Sequence, residues 1–289
     1  MILAIDIGNT TVALGGIRDG RVCFVAHMDT VRTRSAEEYK AEMKRIFTQR
    51  SGGGRRRAPQ FEGAVLTSVV PQLTEKLAEC ARHFTHRKPV IVSPTINTGL
   101  TMAVDEPNAV GKDRIVDAAA AAAYYPLPLV TVDLGTATTF NVVDEEKRFL
   151  GGVIAPGLST GLRALNERCA QLPRVKLAKP ETAIGKNTED CMLAGSVMGT
   201  AALIDGMAAR IEEELGRPVT LVITGGLSRY VAPLCKHPLH CDPQLLLRGL
   251  ALLYSLNAEP EPAAAVPAAK PQHHEGGRRH AGHSGRSKP

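Results

Sequence analysis

The fold of this chain is decided by a stretch near its beginning, Asp6-Ile7-Gly8-Asn9-Thr10-Thr11, which directly follows the apolar run Ile2-Leu3-Ala4-Ile5. The apolar run is typical of a buried strand, so the stretch begins where the first strand of a sheet ends. Its glycine lets a ligand approach the backbone closely, and its threonines offer hydroxyl and amide groups to phosphate oxygens. The acid can hold a hydrated Mg²⁺ beside those oxygens. The stretch therefore predicts a turn that binds phosphate and a metal ion.

The same pattern occurs again in the middle of the chain, as Asp133-Leu134-Gly135-Thr136-Ala137-Thr138 after the apolar run Leu129-Val130-Thr131-Val132. Both copies lead into a second strand-like segment, over residues 12–17 and 140–143. A single turn of this kind is equally well explained as an ordinary strand end. Two copies in the same hairpin context indicate a duplicated phosphate-binding domain.

The composition is that of an ordinary globular protein, with 289 residues, 44% hydrophobic and 22% charged. This length suits two domains of about 120 residues each. The sequence has no run of 18 apolar residues, and its first residues are typical of a strand rather than a signal peptide. The six cysteines form no CxxC pair, which suits reduced thiols. We therefore expect a cytoplasmic protein that does not contact membranes.

The formal net charge of +6 is small for a chain of this length. Such an excess suits an anionic substrate such as ATP but does not indicate binding to nucleic acid. The basic segment 51–57 has no interleaved aromatic residue and is interpreted as a solvated loop. From residue 257 onward the sequence is rich in Ala, Pro, His and Arg and poor in large apolar residues. A disordered tail is expected there.

The order of the patterns predicts a mixed α/β architecture. We divide the chain into an N-terminal domain over residues 1–125, a C-terminal domain over 126–256 and the tail 257–289. Besides the two hairpins, strands are predicted over residues 63–67, 89–92 and 219–224. Helices are predicted over residues 35–47, 73–84, 115–125, 159–171, 188–215 and 245–256.

The segment Asn108-Ala109-Val110-Gly111-Lys112-Asp113-Arg114 immediately precedes the Ala-rich helix predicted over 115–125. A helix N-terminus with a glycine, an acid and an arginine can receive an anion. The charge of Asp113 is also stabilised near a helix start. On spacing alone, Asp113 could equally be a helix cap and Arg114 a surface charge. Glycine-dense turns at 151–157 and 225–226 would allow a nucleotide to approach the backbone.

With these blocks in order, the sequence resembles the type III pantothenate kinases, a family in the superfamily of acetate kinase, sugar kinases and actin. The resemblance runs from Met1 to about Ser255. The first and third blocks mark the superfamily, whereas the second and fifth are more particular to the family. The five blocks are Asp6-Ile7-Gly8-Asn9-Thr10, Gly111-Lys112-Asp113-Arg114, Asp133-Leu134-Gly135-Thr136-Ala137-Thr138, Gly151-Gly152-Val153-Ile154-Ala155-Pro156-Gly157 and Gly185-Lys186-Asn187-Thr188.

The resemblance implies two duplicated actin-like (ribonuclease H-like) domains, each with a mixed sheet flanked by helices. It implies ATP-dependent phosphorylation of pantothenate to 4'-phosphopantothenate, the first step of coenzyme A biosynthesis. It also implies Mg²⁺ with ATP, a monovalent cation, and a homodimer whose active site lies at the subunit interface.

Roles for single residues follow from the same resemblance. Asp113 would be the base that takes the proton of the pantothenate hydroxyl. Asp133 would bind K⁺ or NH₄⁺, and Asp6 would hold Mg²⁺, largely through water. The residues implied to bind ATP are Asp6, Ile7, Gly8, Asn9, Thr10, Thr11, Val12, Ala13 and Thr136. Those implied to bind pantothenate are Gly111, Lys112, Asp113, Arg114, Thr188 and, at its edge, Val104.

Two positions depart from the family pattern. Val104 stands where the family usually has a tyrosine, so an aromatic wall of the pantothenate site would be missing. Lys112 stands where alanine is common, which places an extra cation beside the reacting groups.

Two other functions remain open at this point. One is a kinase of the same superfamily that acts on another small alcohol. The other is a nucleotide-binding regulatory protein without catalysis. The joint presence of Asp6, Asp113, Asp133 and Thr188 disfavours the second, since a binding protein needs no base.

Overall fold

The computed structural model describes residues 1–50, 59–93 and 95–258. The basic loop predicted at 51–57 lies outside the described residues, as does the tail from Glu259 onward. Both remain predictions.

The first sheet has five strands in the order β3-β2-β1-β4-β5. The first three strands form antiparallel hairpins, and β4 and β5 continue the sheet in parallel with β1. Two helices, α1 (Ala36–Arg50) and α2 (Pro71–Thr85), connect these strands. The strands are β1 (Ile2–Ile7), β2 (Thr11–Arg18), β3 (Arg21–Asp29), β4 (Gly63–Ser68) and β5 (Val90–Ile91).

The second sheet repeats this plan and adds one strand. Its order is β6-β9-β8-β7-β10-β11, so that β7, β8, β9, β10 and β11 correspond to β1 to β5. Again the first three are antiparallel and the next two parallel. The duplication predicted from the two hairpins is confirmed. The prediction of a glycine-dense turn over residues 151–157 is wrong, because most of these residues belong to strand β9, and β6 and β11 were not predicted. The strands are β6 (Thr101–Met102), β7 (Leu129–Leu134), β8 (Ala137–Val143), β9 (Arg148–Pro156), β10 (Thr220–Thr224) and β11 (Leu239–Cys241).

The predicted helices are present, with ends that shift by a few residues. The longest is continuous from Thr188 to Leu215 and contains a π-helical turn at Ala194–Met198. It is long and apolar enough to span a membrane by length and composition, but Val197, Ala201 and Ile204 on one face are buried in the core of the second sheet. The two α-helical parts of this long helix are α5 (Thr188–Leu193) and α6 (Gly199–Leu215). The other helices are α3 (Lys112–Tyr124), α4 (Leu158–Arg168), α7 (Ser228–Val231) and α8 (Leu245–Asn257).

Helix α3 lies between the cores of the two sheets. Val116 and Ala119 pack with buried residues of the first sheet, while Ala118 and Ala121 pack with Leu129 and its neighbours in the second. A helix that is apolar on most sides is typical of such a buried position. The alanines let both sheets approach it closely, which explains the Ala-rich sequence.

Helix α8 follows the second sheet in sequence but contributes to the core of the first. Leu247, Leu250 and Leu253 pack with Val65 and its neighbours in the first sheet. Residues Met1–Ala258 accordingly form one compact unit. The predicted boundary between two domains at residue 125 therefore stays a prediction.

Candidate active site

The first predicted phosphate turn is closed by its own backbone. The amide of Gly8 donates to the carbonyl of Thr11 at 3.0 Å, and a Cβ at Gly8 would lie only 3.0 Å from that oxygen. Thr30, just after β3, supports the turn from outside: its hydroxyl donates to the Gly8 carbonyl at 2.7 Å and its amide to the Thr10 carbonyl at 3.0 Å. The turn is thus held in shape without a ligand.

The second turn is built in the same way. The amide of Gly135 donates to the carbonyl of Ala137 at 3.1 Å, and the Thr160 hydroxyl donates to the Thr136 carbonyl at 2.7 Å. Gly157, which precedes α4, packs closely on this turn, because a Cβ at that position would lie 2.3 Å from the Thr136 carbonyl oxygen. The glycine-dense block that ends at Gly157 is therefore needed for close packing onto the second turn.

Asp6 and Asp133 occupy corresponding positions at the ends of β1 and β7. Asp6 is aligned with Thr67 of β4, and Asp133 with Thr224 of β10. Burial, followed by the charges of Asp113 and Asp133, raises the pKa of Asp6 to about 7. Burial and then the charge of Asp113 raise the pKa of Asp133 to about 7. The structure therefore brings the three predicted acids, one from each of three elements, into electrostatic contact.

Asp113 lies inside the first turn of α3, which begins three residues earlier than predicted, at Lys112. The helix cap is Gly111, without a side-chain cap bond, so Asp113 is not the N-cap residue. Its Oδ1 accepts a hydrogen bond from the Arg114 amide at 2.9 Å, and a Cβ at Gly111 would lie 2.7 Å from the same oxygen. Glycine at that position thus leaves room for the Asp113 carboxylate.

Arg114 is directed into the protein rather than toward solvent. Its Nε donates to Asn141 Oδ1 at 2.7 Å and its Nη2 to the Phe140 carbonyl at 3.3 Å. The guanidinium carbon lies 5.8 Å from the centre of the Phe149 ring. Burial lowers the pKa of Arg114, although the charge of Asp113 opposes this. The surface-charge interpretation of Arg114 is therefore wrong.

Asn141 was missed by sequence reasoning. It is fully buried in β8, where it accepts from Arg114 and donates through Nδ2 to the Thr131 hydroxyl at 2.9 Å. Its signal in the sequence was a single amide inside an otherwise apolar strand segment.

Asp117, one helical turn after Asp113, was also missed. Its side chain is buried, and its Oδ1 has no hydrogen-bond partner. Burial raises the pKa of Asp117 well above its usual value, and the charges of Asp133, Asp113 and Asp6 add to this effect. A lone acid in the apolar run of α3 could have revealed it.

Three other predicted site residues lie around this centre or beside it. Lys112 is the first residue of α3 and is half-buried. Val104 packs in the cluster that contains Phe149, next to Gly151. Thr188 begins α5 and lines a cavity of about 860 Å³ between α4 and the continuous helix α5–α6.

The acidic side chains of this site suit a bound cation. Within the described ranges, however, no three or more His, Cys, Asp or Glu side chains form a group that could hold a metal ion. The influences that raise the pKa values of Asp6, Asp117 and Asp133 are burial and other acids. The unpartnered oxygen of Asp117 adds a buried acceptor. A positive ion beside these groups would stabilise their charged forms, because an opposite charge nearby favours ionisation.

Duplicated sheets, two glycine–threonine turns and acids between them define an actin-like phosphotransferase. Two solved structures share the fold. One is a Campylobacter jejuni protein described as a Baf family transcriptional activator, with TM-score 0.54 and 18% identity over 88% of this chain and 97% of that one. The other, described as a 2-dehydro-3-deoxygalactonokinase from Sinorhizobium meliloti, has TM-score 0.52 and 11% identity over 91% and 99%.

Sequence comparisons identify the family. The sequence model of the type III pantothenate kinase family matches residues 2–210 of this chain. A type III pantothenate kinase from Exiguobacterium sibiricum is 40% identical, over 89% of this chain and 100% of the relative. One from Myxococcus xanthus is 37% identical, over 89% and 99%. The chain belongs to the type III pantothenate kinase family.

Proposed function

We propose that this protein transfers the γ-phosphoryl group of ATP to the primary hydroxyl of pantothenate, with Asp113 as the base. The product is 4'-phosphopantothenate, so the reaction is the first step of coenzyme A biosynthesis. The observation that carries the proposal is the position of Asp113 at the start of α3, beside both strand-end acids. Membership of the family supports the choice of pantothenate as the substrate.

ATP would bind with its phosphates on the two turns. The first turn offers the amides and hydroxyls of residues 6–13, and Thr136 offers the corresponding groups on the second. Both turns keep their shape through their own hydrogen bonds, so binding requires little ordering of the backbone. Mg²⁺ near Asp6 would supply positive charge to the phosphate oxygens.

Asp113 suits the role of base better than the other acids. All three acids are half-buried, but Asp6 and Asp133 lie at strand ends within the two turns, whereas Asp113 stands in the first turn of helix α3. The hydroxyl proton would pass to Asp113 while the hydroxyl oxygen bonds to phosphorus and the bond to ADP breaks. A positioned base contributes about 100-fold or more to such a step, and most of the remainder comes from positioning and charge.

Arg114 would neutralise charge on the transferring phosphoryl group. Its hydrogen bonds to Asn141 and to the Phe140 carbonyl hold the guanidinium in one orientation. Gly111 and Lys112 would lie along pantothenate, and Val104 at its edge. K⁺ or NH₄⁺ would bind at Asp133, where a cation would favour the charged form of a carboxylate whose pKa is raised by burial and by Asp113.

We further propose a cytoplasmic homodimer in which Thr188 contacts pantothenate bound to the partner subunit. Support comes from the position of Thr188 on the wall of the large cavity. The exposed apolar side chains of Ile184 and Ile154, 81% and 65% exposed, lie before α5 and in β9. A dimer interface that covered them would remove this apolar area from water.

The test is to incubate the purified protein with ATP, Mg²⁺ and K⁺ and a panel of small alcohols, and to identify the product by mass spectrometry. Phosphopantothenate as the dominant product is expected. Preferential phosphorylation of another alcohol would replace the substrate. The absence of any product, with ATP still bound, would leave a nucleotide-binding regulatory protein and overturn the proposal.

A further inference from the structure

We propose that Asp117 shares a buried K⁺-type cation with Asp133, and that this ion is bound before any nucleotide. The inference rests on the proposed cation at Asp133 and adds a second protein ligand to it. Asp117 is then a positioning residue, because it acts on the reaction through the ion and helix α3 rather than by touching the substrate.

The position of Asp117 follows from the geometry of α3. Residues four apart lie on the same face of a helix, so Asp117 stands one turn below Asp113. Helix α3 packs against β7, whose last residues include Asp133. Asp133 is the strongest of the charges acting on Asp117. The two carboxylates therefore lie close enough to act on each other, one on the buried helix and one near the end of the strand it packs against.

The second observation is the unsatisfied oxygen. Asp117 is only 3% exposed, and its Oδ1 has no hydrogen-bond partner. Buried carboxylates in proteins are normally paired with a cation, hydrogen-bonded or bound to a metal ion. A buried, unpartnered acceptor next to a half-buried carboxylate is an arrangement that a positive ion would stabilise.

The nearby basic side chains are already engaged. Arg114 donates to Asn141. Arg248 is paired with Asp242 and lies 4.1 Å from the centre of the Tyr124 ring. Neither is hydrogen-bonded to the buried Oδ1 of Asp117. The positive charge that Asp117 requires is therefore best supplied by a small ion.

The ion is better assigned as monovalent than as Mg²⁺. Mg²⁺ loses its water reluctantly and usually keeps several water ligands, which the buried side chain of Asp117 does not favour. The site offers two carboxylates and no larger group of ligands among the described residues. K⁺ is dehydrated more readily, and it would join α3 to β7 one turn below Asp113.

The experiment measures thermal unfolding of the full chain without ATP or pantothenate, in KCl and in choline chloride of equal concentration. The wild type should show a saturable rise of Tm with K⁺. In Asp117→Asn the half-saturating K⁺ concentration should rise at least tenfold. Asp19→Asn is the matched control, because Asp19 is exposed in the β2–β3 turn at φ 52°, a conformation that asparagine tolerates. It should respond like the wild type.

A wild-type K⁺ response in Asp117→Asn would overturn the proposal. The proposal would also be overturned if Mg²⁺ stabilised the wild type, K⁺ did not, and Asp117→Asn removed the stabilisation by Mg²⁺. Should Asp117→Asn fail to fold, crystals of the wild type soaked in Tl⁺ decide instead: a peak bridging Asp117 and Asp133 is expected, and a peak elsewhere or none refutes the site. Because substrates are absent, failure of the proposed phosphorylation would not affect these results.

Discussion

Replacing Asn141 with alanine tests whether strand β8 holds the arginine of the site. The amide of Asn141 accepts from Arg114 Nε at 2.7 Å and donates to Thr131 Oγ1 at 2.9 Å, and the residue is fully buried. A hydrogen bond to a charged group contributes about 1.5–3 kcal/mol and a neutral one about 0.5–1.5 kcal/mol. Arg114 is only half-buried, so we expect the lower part of that range. Asn141→Ala should therefore lower the free energy of unfolding by about 2–3 kcal/mol.

The same substitution should also reduce activity. Without Asn141 the Arg114 guanidinium keeps only its longer bond to the Phe140 carbonyl, at 3.3 Å. A guanidinium that samples several orientations stabilises the transition state less. We expect kcat/KM for pantothenate to fall about tenfold or more, equivalent to about 1.4 kcal/mol, with little change in the Kd for ATP.

The assays are urea denaturation and steady-state kinetics on the same preparations, with Thr131→Val as the matched variant. That change leaves the Asn141 donor unsatisfied, which costs stability of similar size, about 1–3 kcal/mol, but leaves Arg114 bound to Asn141. Its kcat/KM should stay close to that of the wild type. A folded Asn141→Ala protein with unchanged kcat/KM, or an equal loss in Thr131→Val, would refute this reasoning.

Two further predictions concern stability. Gly249→Ala places a Cβ 2.8 Å from Val116 Cγ1, between α3 and α8, and should lower the free energy of unfolding by about 1–3 kcal/mol. Gly206→Ala, where α6 leaves room for a Cβ, should raise it by about 0.5–1 kcal/mol. Urea denaturation that finds Gly249→Ala more stable than Gly206→Ala would contradict the packing of α3 on α8. Burial lowers the pKa of His237, but its hydrogen bonds to a carbonyl and to Glu212 outweigh this, so the pKa is raised. Its contribution to stability is then complete below the unfolded-state pKa and lost as pH rises through the folded-state value. In Glu212→Gln the hydrogen bond to the Pro238 carbonyl remains, so Tm measured against pH should show a smaller step; an unchanged profile would exclude the pair.

The fold could be predicted because its signal is local and repeated. An apolar strand followed by an acid, a glycine and threonines occurs twice, and each copy sets up the same hairpin. The two-residue strand β6 could not be predicted. Thr101–Met102 is too short to show an alternating pattern, and it is a strand because it pairs with β9. The return of α8 to the first sheet was equally hidden, because an apolar helix does not reveal which of two apolar surfaces it covers.

The site was predicted in part, for a related reason. The acids at strand ends stand next to glycines and hydroxyl residues and are visible as motifs. Asn141 and Asp117 are single polar residues inside apolar segments, and their roles depend on partners distant in sequence, Arg114 and Asp133. Sequence patterns mark such residues as unusual, but only the packing of α3 between the two sheets shows what they face.

The role of Asp113 as the base is tested most directly by the turnover of Asp113→Asn. The substitution keeps the shape of the side chain and removes its ability to accept a proton. We expect a kcat lower by about 100-fold or more, with the Kd for ATP and the unfolding midpoint close to those of the wild type. A kcat like that of the wild type would contradict the assignment of Asp113 as the base.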